Sequence, residues 1–233
     1  MIIDKENSPR SGLIFDMDGT LLDTLPDIAR SFNTVFVKNG FPGYAADDYK
    51  VFVGSGLRNA LISALPDDAG LSPEAIQSLL MQIMDEYSSD PAGLTKPYNG
   101  ILDLLHELTD LNVRMAVLSN KAHELTLPIM KTFFSDIPFG EIWGKSDRFP
   151  LKPSPESARY IMDQMNCIPQ KTLMIGDSNV DYQTAKQSDM IPVCVSWGFN
   201  SVEKLLESGC RTVVHSVEEL RLYILKFLDK SCF

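Results

Sequence analysis

Short apolar runs that end in polar residues recur along the chain and predict buried β-strands. The first run, Leu13 to Phe15, is followed at once by Asp16 and Asp18. An apolar run of this kind is typical of a strand that is covered on both faces, as in the middle of a parallel sheet. Later segments predict further strands over residues 113–118, 141–144, 173–175, 192–196 and 212–215.

Between the first two predicted strands, the apolar residues follow the period of an α-helix instead. One helix face ends at the stop signal Gly40 and carries Leu25, Ile28, Ala29, Phe32, Val35 and Phe36. Further on, Ser72 and Pro73 predict the start of a helix that runs toward Tyr87. Because no strand pattern occurs from Leu25 to about Asp90, we expect an all-helical insertion here.

From Tyr98 onward, predicted helices and strands alternate, which indicates a parallel sheet with helices on both faces. We therefore expect an α/β fold with a Rossmann-like, doubly wound parallel sheet. Residues 1–23 and 91–233 would form this α/β core, and residues 24–90 would form the inserted helical domain. Pro128 is expected to kink or end the helix that follows the second strand.

The composition is that of a globular protein with excess negative charge. Of the 233 residues, 44% are hydrophobic and 22% are charged, and the formal net charge is −10. This charge argues against nucleic acid or an anionic membrane surface as the main partner, but not against a small anionic substrate. The segment from Met1 to Ser11 lacks the apolar core of a signal peptide, and no apolar run reaches 18 residues. A soluble, cytoplasmic protein is therefore expected.

Four widely spaced cysteines, Cys167, Cys194, Cys210 and Cys232, include no Cys-x-x-Cys pair. They could form two disulfides, but Cys194 lies in an apolar run and is interpreted as a small buried hydrophobic residue. We therefore expect reduced cysteines.

Two carboxylates follow the first strand with one residue between them. In an extended chain, Asp16 and Asp18 can project to the same side, and Gly19 permits a close backbone turn. Carboxylates this close repel each other unless a cation or a shared proton relieves them, and Mg²⁺ is suited to that role. A solvated acidic turn and a helix cap are the alternatives. A calcium loop is excluded, because Thr20 and Leu21 stand where it needs a carboxylate or amide and a glycine.

Polar groups of specific kinds also follow the later strands. Ser119 follows the second strand, Lys152 precedes the next helix, and Asp177 and Asp181 follow the strand at 173–175. In open α/β sheets, ligands bind at the carboxyl ends of the strands. Each residue has an ordinary alternative: Ser119 could cap a helix, Lys152 could lie on the surface, and the two aspartates could be exposed on one helix turn. Their common placement nevertheless predicts one site.

The order of these groups resembles that of the haloacid dehalogenase superfamily of phosphatases. The matching segments are Asp16-Met17-Asp18-Gly19-Thr20, Ser119 after an apolar strand, Lys152 before Pro153, and Gly176-Asp177-Ser178 with Asp181. The helical insertion is similar to the small helical cap of one subfamily. Within that subfamily, the chain looks most like phosphoglycolate phosphatases, on the segments 23–29, Ser119-Asn120-Lys121 and Trp197-Gly198-Phe199-Asn200. Asp189 stands where the family usually has glycine, and we expect it to keep the left-handed turn.

The resemblance implies catalytic and metal-binding roles for four aspartates. Asp16 would attack phosphorus and form an aspartyl phosphate, while Asp18 would act as general acid and then as general base. Mg²⁺ would be bound by Asp16, by the backbone carbonyl of Asp18 and by Asp177. Asp181 would support the metal site or the neighbouring lysine.

The remaining groups would bind the substrate. The resemblance implies that Ser119, Asn120 and Lys152 hold the phosphoryl oxygens. In the cap, residues 54–58 form the expected substrate loop, and Arg58 could pair with a substrate carboxylate. The alternative for Arg58 is an exposed arginine on a helix.

The resulting hypothesis is a Mg²⁺-dependent phosphatase that acts on a small phosphorylated metabolite, with 2-phosphoglycolate as the first candidate. Asp18 argues against a dehalogenase, because the resemblance implies that only phosphatases and phosphomutases keep this second aspartate. Two alternatives stay open: a β-phosphoglucomutase-like transferase, which shares every core residue, and a phosphate-binding module without turnover. A monomer or a homodimer is expected.

Overall fold

The computed structural model describes residues 10–231, so the signal-peptide prediction falls largely outside it, and Cys232 does as well. The strands are β1 (Arg10–Phe15), β2 (Leu22–Asp23), β3 (Lys96–Pro97), β4 (Arg114–Ala122), β5 (Glu141–Lys145), β6 (Cys167–Gly176), β7 (Ile191–Val195) and β8 (Val213–Val214). The α-helices are α1 (Leu25–Lys38), α2 (Leu57–Ala64), α3 (Pro73–Ser89), α4 (Ile101–Asp110), α5 (His123–Phe134), α6 (Glu156–Gln164), α7 (Asn179–Gln187), α8 (Val202–Glu207) and α9 (Val217–Ser231).

Six parallel strands form the main sheet in the order β5-β4-β1-β6-β7-β8. The chain first extends the sheet from β1 through β4 to β5, and then returns to add β6, β7 and β8 on the other side of β1. The strand order therefore reverses between β1 and β6, and ligands bind at such a switch point in doubly wound sheets. Asp16 follows β1 and Asp177 follows β6. The predicted α/β fold with a doubly wound parallel sheet is confirmed.

The central strand β1 is buried on both faces, as its apolar run predicts. Leu13 and Phe15 pack into one core cluster, together with α1, α4, α5 and α9. Ile14 points to the opposite face and packs against residues of α6, among them Ala158, Ile161 and Met162. Helices on both faces thus bury all three side chains of the run, which fixes the position of Asp16 at the end of β1.

The helical insertion is formed by α1, a 3₁₀ helix (Ala46–Val51), α2 and α3. All six apolar residues of the predicted α1 face are buried. Gly40 has a φ of +79°, which a residue with a side chain rarely adopts, and α1 ends two residues before it. No strand occurs from 25 to 90, all of which the structure describes, so the all-helical prediction is confirmed. The exact domain boundaries stay a prediction. We call this segment the cap.

Two connections join the cap to the sheet, and a buried aspartate ties them together. The short strands β2 and β3 pair antiparallel at the base of the cap. Asp27, fully buried on α1, accepts hydrogen bonds from the backbone N–H groups of Leu94 and Thr95 at 3.0 and 2.7 Å and from the Thr95 hydroxyl at 2.7 Å. Arg30 pairs with both Asp27 and Asp90. The chain entering the cap is thereby fastened to the chain leaving it.

Several elements differ from the sequence-based expectation. The strands β4 and β6 extend beyond their apolar runs, because parallel neighbours supply backbone hydrogen bonds that do not depend on side chains. Pro128 does not end α5, which continues to Phe134. The missing N–H of Pro128 leaves the carbonyl of Glu124, an exposed residue in the first turn, without its helical partner.

Asp189 adopts the expected left-handed conformation, with a φ of +57°.

The expectation of reduced cysteines is wrong for one pair. Cys194, on β7, is buried as expected but is bonded to Cys210, which follows α8. Cys167 is buried and free. The pairing was missed because the two residues are 16 positions apart and an apolar run contains only one of them. Among the described helices, none is both long enough and apolar enough to cross a membrane.

Candidate active site

A cleft opens between the carboxyl ends of the central strands and the cap. The cap lines it mainly with apolar side chains from α1, α2 and α3. The sheet contributes the charged residues Asp16, Asp18, Lys121, Lys152 and Asp177. The structure therefore brings the aspartates that follow β1 and β6 together with both lysines. The order of the motifs predicts this for the aspartates and for Lys152, but not for Lys121.

Lys152 lies between two carboxylates at the floor of this cleft. Its ammonium is 2.8 Å from Oδ1 of Asp16 and 2.6 Å from Oδ1 of Asp181, and the residue is 5% exposed. Burial alone would lower the pKa of Lys152, but the two aspartates outweigh burial and raise that pKa above its usual value. Lys152 therefore stays charged at neutral pH, and the alternative of a surface lysine is excluded.

Three buried carboxylates converge beside this lysine. Ligand oxygens of Asp16, Asp177 and Asp181 lie within 4.8 Å of one another. Burial, opposed by Lys152, raises the pKa of Asp16 to about 7. Burial and the two neighbouring carboxylates raise the pKa of Asp177 well above its usual value. Carboxylates in such a cluster disfavour one another's ionised form, and a hard divalent cation relieves this repulsion by binding their oxygens. The three residues therefore fit a metal site.

Close backbone packing holds Asp177 in place. The backbone N–H of Phe199 donates to Oδ2 of Asp177 at 2.6 Å. A Cβ atom on Gly19, whose φ is +80°, would lie 2.4 Å from the same oxygen, and so would a Cβ atom on Gly198. Side chains at either position would displace the carboxylate, which explains both glycines. In the same loop after β7, the indole N–H of Trp197 donates a hydrogen bond to the carbonyl of Thr20. This loop thus belongs to the site.

Asp18 has a different set of partners from Asp16. The Thr24 hydroxyl donates to its Oδ1 at 2.5 Å, and the Lys121 ammonium donates to the same atom at 3.0 Å. The Ser119 hydroxyl lies 3.5 Å from Oδ2. The two carboxylates of the Asp-x-Asp motif are therefore paired with separate lysines, which relieves the repulsion that their spacing predicts.

Lys121 was missed as a functional residue by the sequence reasoning, although the Ser119-Asn120-Lys121 segment was noted as part of the resemblance. Its side chain is 6% exposed, and its ammonium lies 4.4 Å from the ring centroid of Tyr87 on α3. Asp18 and Tyr87 outweigh burial and raise the pKa of Lys121. Burial raises the pKa of the Tyr87 hydroxyl to about 12. The only signal in the sequence was a lysine directly after the residues that end an apolar strand.

Asn120 lines the cleft, but the structure commits its side chain to the backbone. Its Oδ1 accepts from the N–H of Lys152 at 2.8 Å, and its Nδ2 donates to the carbonyls of Lys152 and Gly54 at 3.0 and 3.3 Å. This bridge orients Lys152 and connects the sheet to the cap loop. The amide is therefore better placed to position Lys152 than to bind phosphate itself.

Arg58 is not brought to the cleft with the other candidate residues. It is exposed on α2, and its guanidinium donates to Oε1 of Gln77 on α3 at 3.2 Å. The neighbouring Leu57 lines the cleft instead. The loop was correctly placed beside the site, but the helix that starts at Leu57 turns the arginine outward.

Comparisons with known proteins agree with this geometry. The sequence profile of the haloacid dehalogenase-like hydrolases matches residues 13–195. A phosphoglycolate phosphatase of Pseudomonas putida is 30% identical over 192 residues, which cover 81% of this chain and 70% of the relative. A phosphoglycolate phosphatase of Thiobacillus denitrificans is 27% identical, with 94% and 97% covered. A crystal structure from Lactobacillus delbrueckii subsp. bulgaricus, described as a candidate phosphoglycolate phosphatase, superposes with a TM-score of 0.83 at 32% identity, covering 93% of this chain and 99% of its own.

Proposed function

The chain belongs to the haloacid dehalogenase-like hydrolases and is a phosphatase, and from this premise we propose that it hydrolyses 2-phosphoglycolate with Mg²⁺, through an aspartyl phosphate on Asp16. The observation that carries the proposal is the pairing of two adjacent carboxylates with two separate buried lysines. Asp16 contacts Lys152 and Asp18 contacts Lys121. One carboxylate can therefore attack while the other transfers a proton.

In the first step, an oxygen of Asp16 attacks phosphorus, and the bond from phosphorus to the ester oxygen breaks. Asp18 gives its proton to that ester oxygen, so the leaving group departs as an alcohol. In the second step, water attacks phosphorus and gives a proton to Asp18. The aspartyl phosphate bond breaks, inorganic phosphate is released, and both carboxyl groups return to their initial states.

The phosphoryl oxygens are held by groups at the floor of the cleft. Lys152 stays charged and is fixed by Asp181 and by the side chain of Asn120. Ser119 has a hydroxyl directed toward the same space, 3.5 Å from Asp18. Charged and polar donors fixed in a water-poor site stabilise the charge that develops on the transferring phosphoryl group.

The bound metal would be held by Asp16, by the backbone carbonyl of Asp18 and by Asp177. Mg²⁺ supplies positive charge there, which offsets the clustered carboxylates and the phosphoryl oxygens. Asp181 accepts from Lys152 and from the N–H and hydroxyl of Ser178, so it supports the lysine and the loop that carries Asp177.

The substrate is proposed from the relatives named above, because several share this activity by name over most of the chain. A small carboxylated ester also suits a negatively charged protein whose cleft is lined by two buried lysines. We further propose that the enzyme acts in the cytoplasm as a monomer or a homodimer.

The test is a phosphate-release assay on the purified full chain. With 2-phosphoglycolate, release should depend on Mg²⁺, stop when a chelator removes the metal and return when Mg²⁺ is added in excess. β-Glucose 1-phosphate serves as the comparison substrate, with the products identified by chromatography. Conversion of the sugar phosphate to its isomer, or full hydrolysis in chelator, would contradict the proposal.

A further inference from the structure

The distribution of cations in the cleft bears on which leaving group it accepts. Among the described residues that line the cleft, Lys121 and Lys152 are the only cations. Lys152 is committed to Asp16 and Asp181, beside the atom that phosphorus must approach. The cap side offers no charge, since its larger lining residues are Ile28, Phe32, Val53, Leu57, Met84 and Tyr87. A second anionic group on the substrate therefore has Lys121 as its available cation.

A buried hydroxyl with unused hydrogen-bonding capacity lies next to this lysine. Tyr87 is 1% exposed and lines the cleft, and within residues 10–231 the Lys121 ammonium is the polar group that interacts with its hydroxyl. A hydroxyl has one donor and two acceptor positions, so its O–H remains available to a ligand oxygen while its own oxygen faces Lys121. The Lys121 ammonium lies over the same ring, which places a cation and a hydroxyl with a free O–H donor side by side.

The distance from Lys121 to Asp18 limits where the anionic group can be. A general acid must come within about 2.6 to 3.2 Å of the ester oxygen, and the Lys121 ammonium is 3.0 Å from Oδ1 of Asp18. An ammonium has three N–H donors, so it can contact Asp18 and a further acceptor together. If the Lys121 ammonium contacts a substrate acceptor while Asp18 contacts the ester oxygen, that acceptor must therefore be attached close to the ester oxygen.

We propose that Lys121 and the Tyr87 hydroxyl form a subsite for a carboxylate bonded to the carbon atom that carries the ester oxygen. The enzyme then selects 2-phosphoglycolate and related 2-phosphorylated carboxylic acids through a cation of the sheet, and not through a cation of the cap. This inference rests on the proposed phosphatase function and assigns its selectivity to two residues.

The test compares 2-phosphoglycolate with its carboxamide, which has nearly the same shape and no carboxylate charge. Wild-type kcat/KM should be about ten- to a hundredfold higher for the acid, as expected for one charge-assisted hydrogen bond. Lys121→Met should remove most of this preference by lowering the value for the acid. Tyr87→Phe should reduce the preference by a smaller factor, because the ring that packs on Lys121 remains.

Lys131→Met is the matched control. Lys131 is an exposed lysine on α5, so its loss changes the net charge equally without touching the cleft. It should leave the preference for the acid unchanged. A preference that survives Lys121→Met, equal losses on acid and amide in that variant, or a selective loss in Arg58→Met instead, would each overturn the inference.

A binding measurement separates this inference from the proposed function. In Asp16→Asn, the acid and the amide can be titrated by calorimetry in the presence of Mg²⁺, with no turnover required. Tighter binding of the acid, lost when Lys121→Met is added, supports the subsite even if wild-type protein releases no phosphate. Equal affinity for the two ligands overturns the subsite even if the phosphatase activity is present. If Lys121→Met does not fold, the wild-type ratio and Tyr87→Phe decide the question by the same criteria.

Discussion

The two walls of the cleft differ in their charge and in how they are joined to the rest of the molecule. Of the cleft-lining residues that the structure describes, all of the ionisable groups except the Tyr87 hydroxyl lie on the wall formed by the sheet, and most of them follow directly on the buried strands. The wall formed by the cap is apolar apart from the Tyr87 hydroxyl, and it joins the rest of the molecule through two short connections. Charge is thus placed on the side of the cleft that is formed by the central sheet.

This division has a physical reason. A buried charge is stabilised only when its partners stay in place, and strand ends at a switch point provide fixed partners. An apolar wall can approach and retreat without breaking ion pairs, and it excludes water when it approaches. The chemistry is therefore expected to depend on the sheet, and stability and access on the cap.

The largest predicted effect lies on the sheet side. Asp16→Asn should lower turnover of 2-phosphoglycolate by at least about 10⁴-fold, because the amide cannot attack phosphorus. The fold should persist, since Lys152 keeps Asp181 as its partner and the burial that raises the pKa of Asp16 favours a neutral group. Phosphate release and thermal unfolding should be measured on the same sample.

Asp18→Asn is the informative companion of that variant. It should still allow Asp16 to react with an activated aryl phosphate, but it should slow hydrolysis of the intermediate by about 10² to 10⁴-fold. Wild-type turnover in either variant would show that the two carboxylates do not have these roles.

The next largest effect is structural and lies at the base of the cap. Asp27→Ala should lower the free energy of unfolding by about 2 to 4 kcal/mol, because it leaves the buried N–H and hydroxyl donors of Thr95 and the part-buried N–H of Leu94 without an acceptor. Urea unfolding measures this change. Asp85→Ala, an exposed aspartate on α3, is the control and should change stability by less than about 0.5 kcal/mol. Equal stabilities for the two variants would mean that Asp27 does not fasten the cap.

A smaller effect concerns pH and the metal. In the metal-free protein the pKa of Asp16 is raised from its ordinary 3.8 to about 7. Between these values the folded state binds more protons than the unfolded state, so stability falls as pH rises through this interval. Mg²⁺ favours the ionised carboxylate, so it should raise Tm more at pH 8 than at pH 5.5. A Tm increase that is equal at both values, or larger at pH 5.5, would contradict the assignment of Asp16 as a ligand.

The smallest predicted effect belongs to Arg58. Its guanidinium is turned toward Gln77 outside the cleft, so Arg58→Ala should change kcat/KM for 2-phosphoglycolate by less than about threefold. A tenfold loss of kcat/KM that is selective for 2-phosphoglycolate would mean that a cation of the cap binds the substrate, and the contrast between the two walls would then fail.

The sequence predicts the fold better than it predicts the partners within the site. The continuous apolar run of β1 and the helical spacing of the apolar residues on α1 are local patterns, and burial in the core explains each of them. Asp16, Lys152 and Asp177 were found because strand ends of one parallel sheet meet at one edge. The contact between Lys121 and Tyr87 joins residues from the sheet and the cap, and no local pattern records it. The outward turn of Arg58 depends on how α2 packs against α3, where the guanidinium contacts Gln77, and no local sequence pattern predicts that contact.

A rapid acid quench with 2-phosphoglycolate labelled on phosphorus with ³²P, in the presence of Mg²⁺, tests whether Asp16 forms a covalent phosphoenzyme. During turnover, the label should appear on the protein before it appears as inorganic phosphate. Digestion should place it on the peptide that contains Asp16, and hydroxylamine should remove it, as expected for an acyl phosphate. In Asp18→Asn the labelled protein should persist longer. Phosphate release at full rate with no labelled protein at any time, or label on a different peptide, would contradict the account.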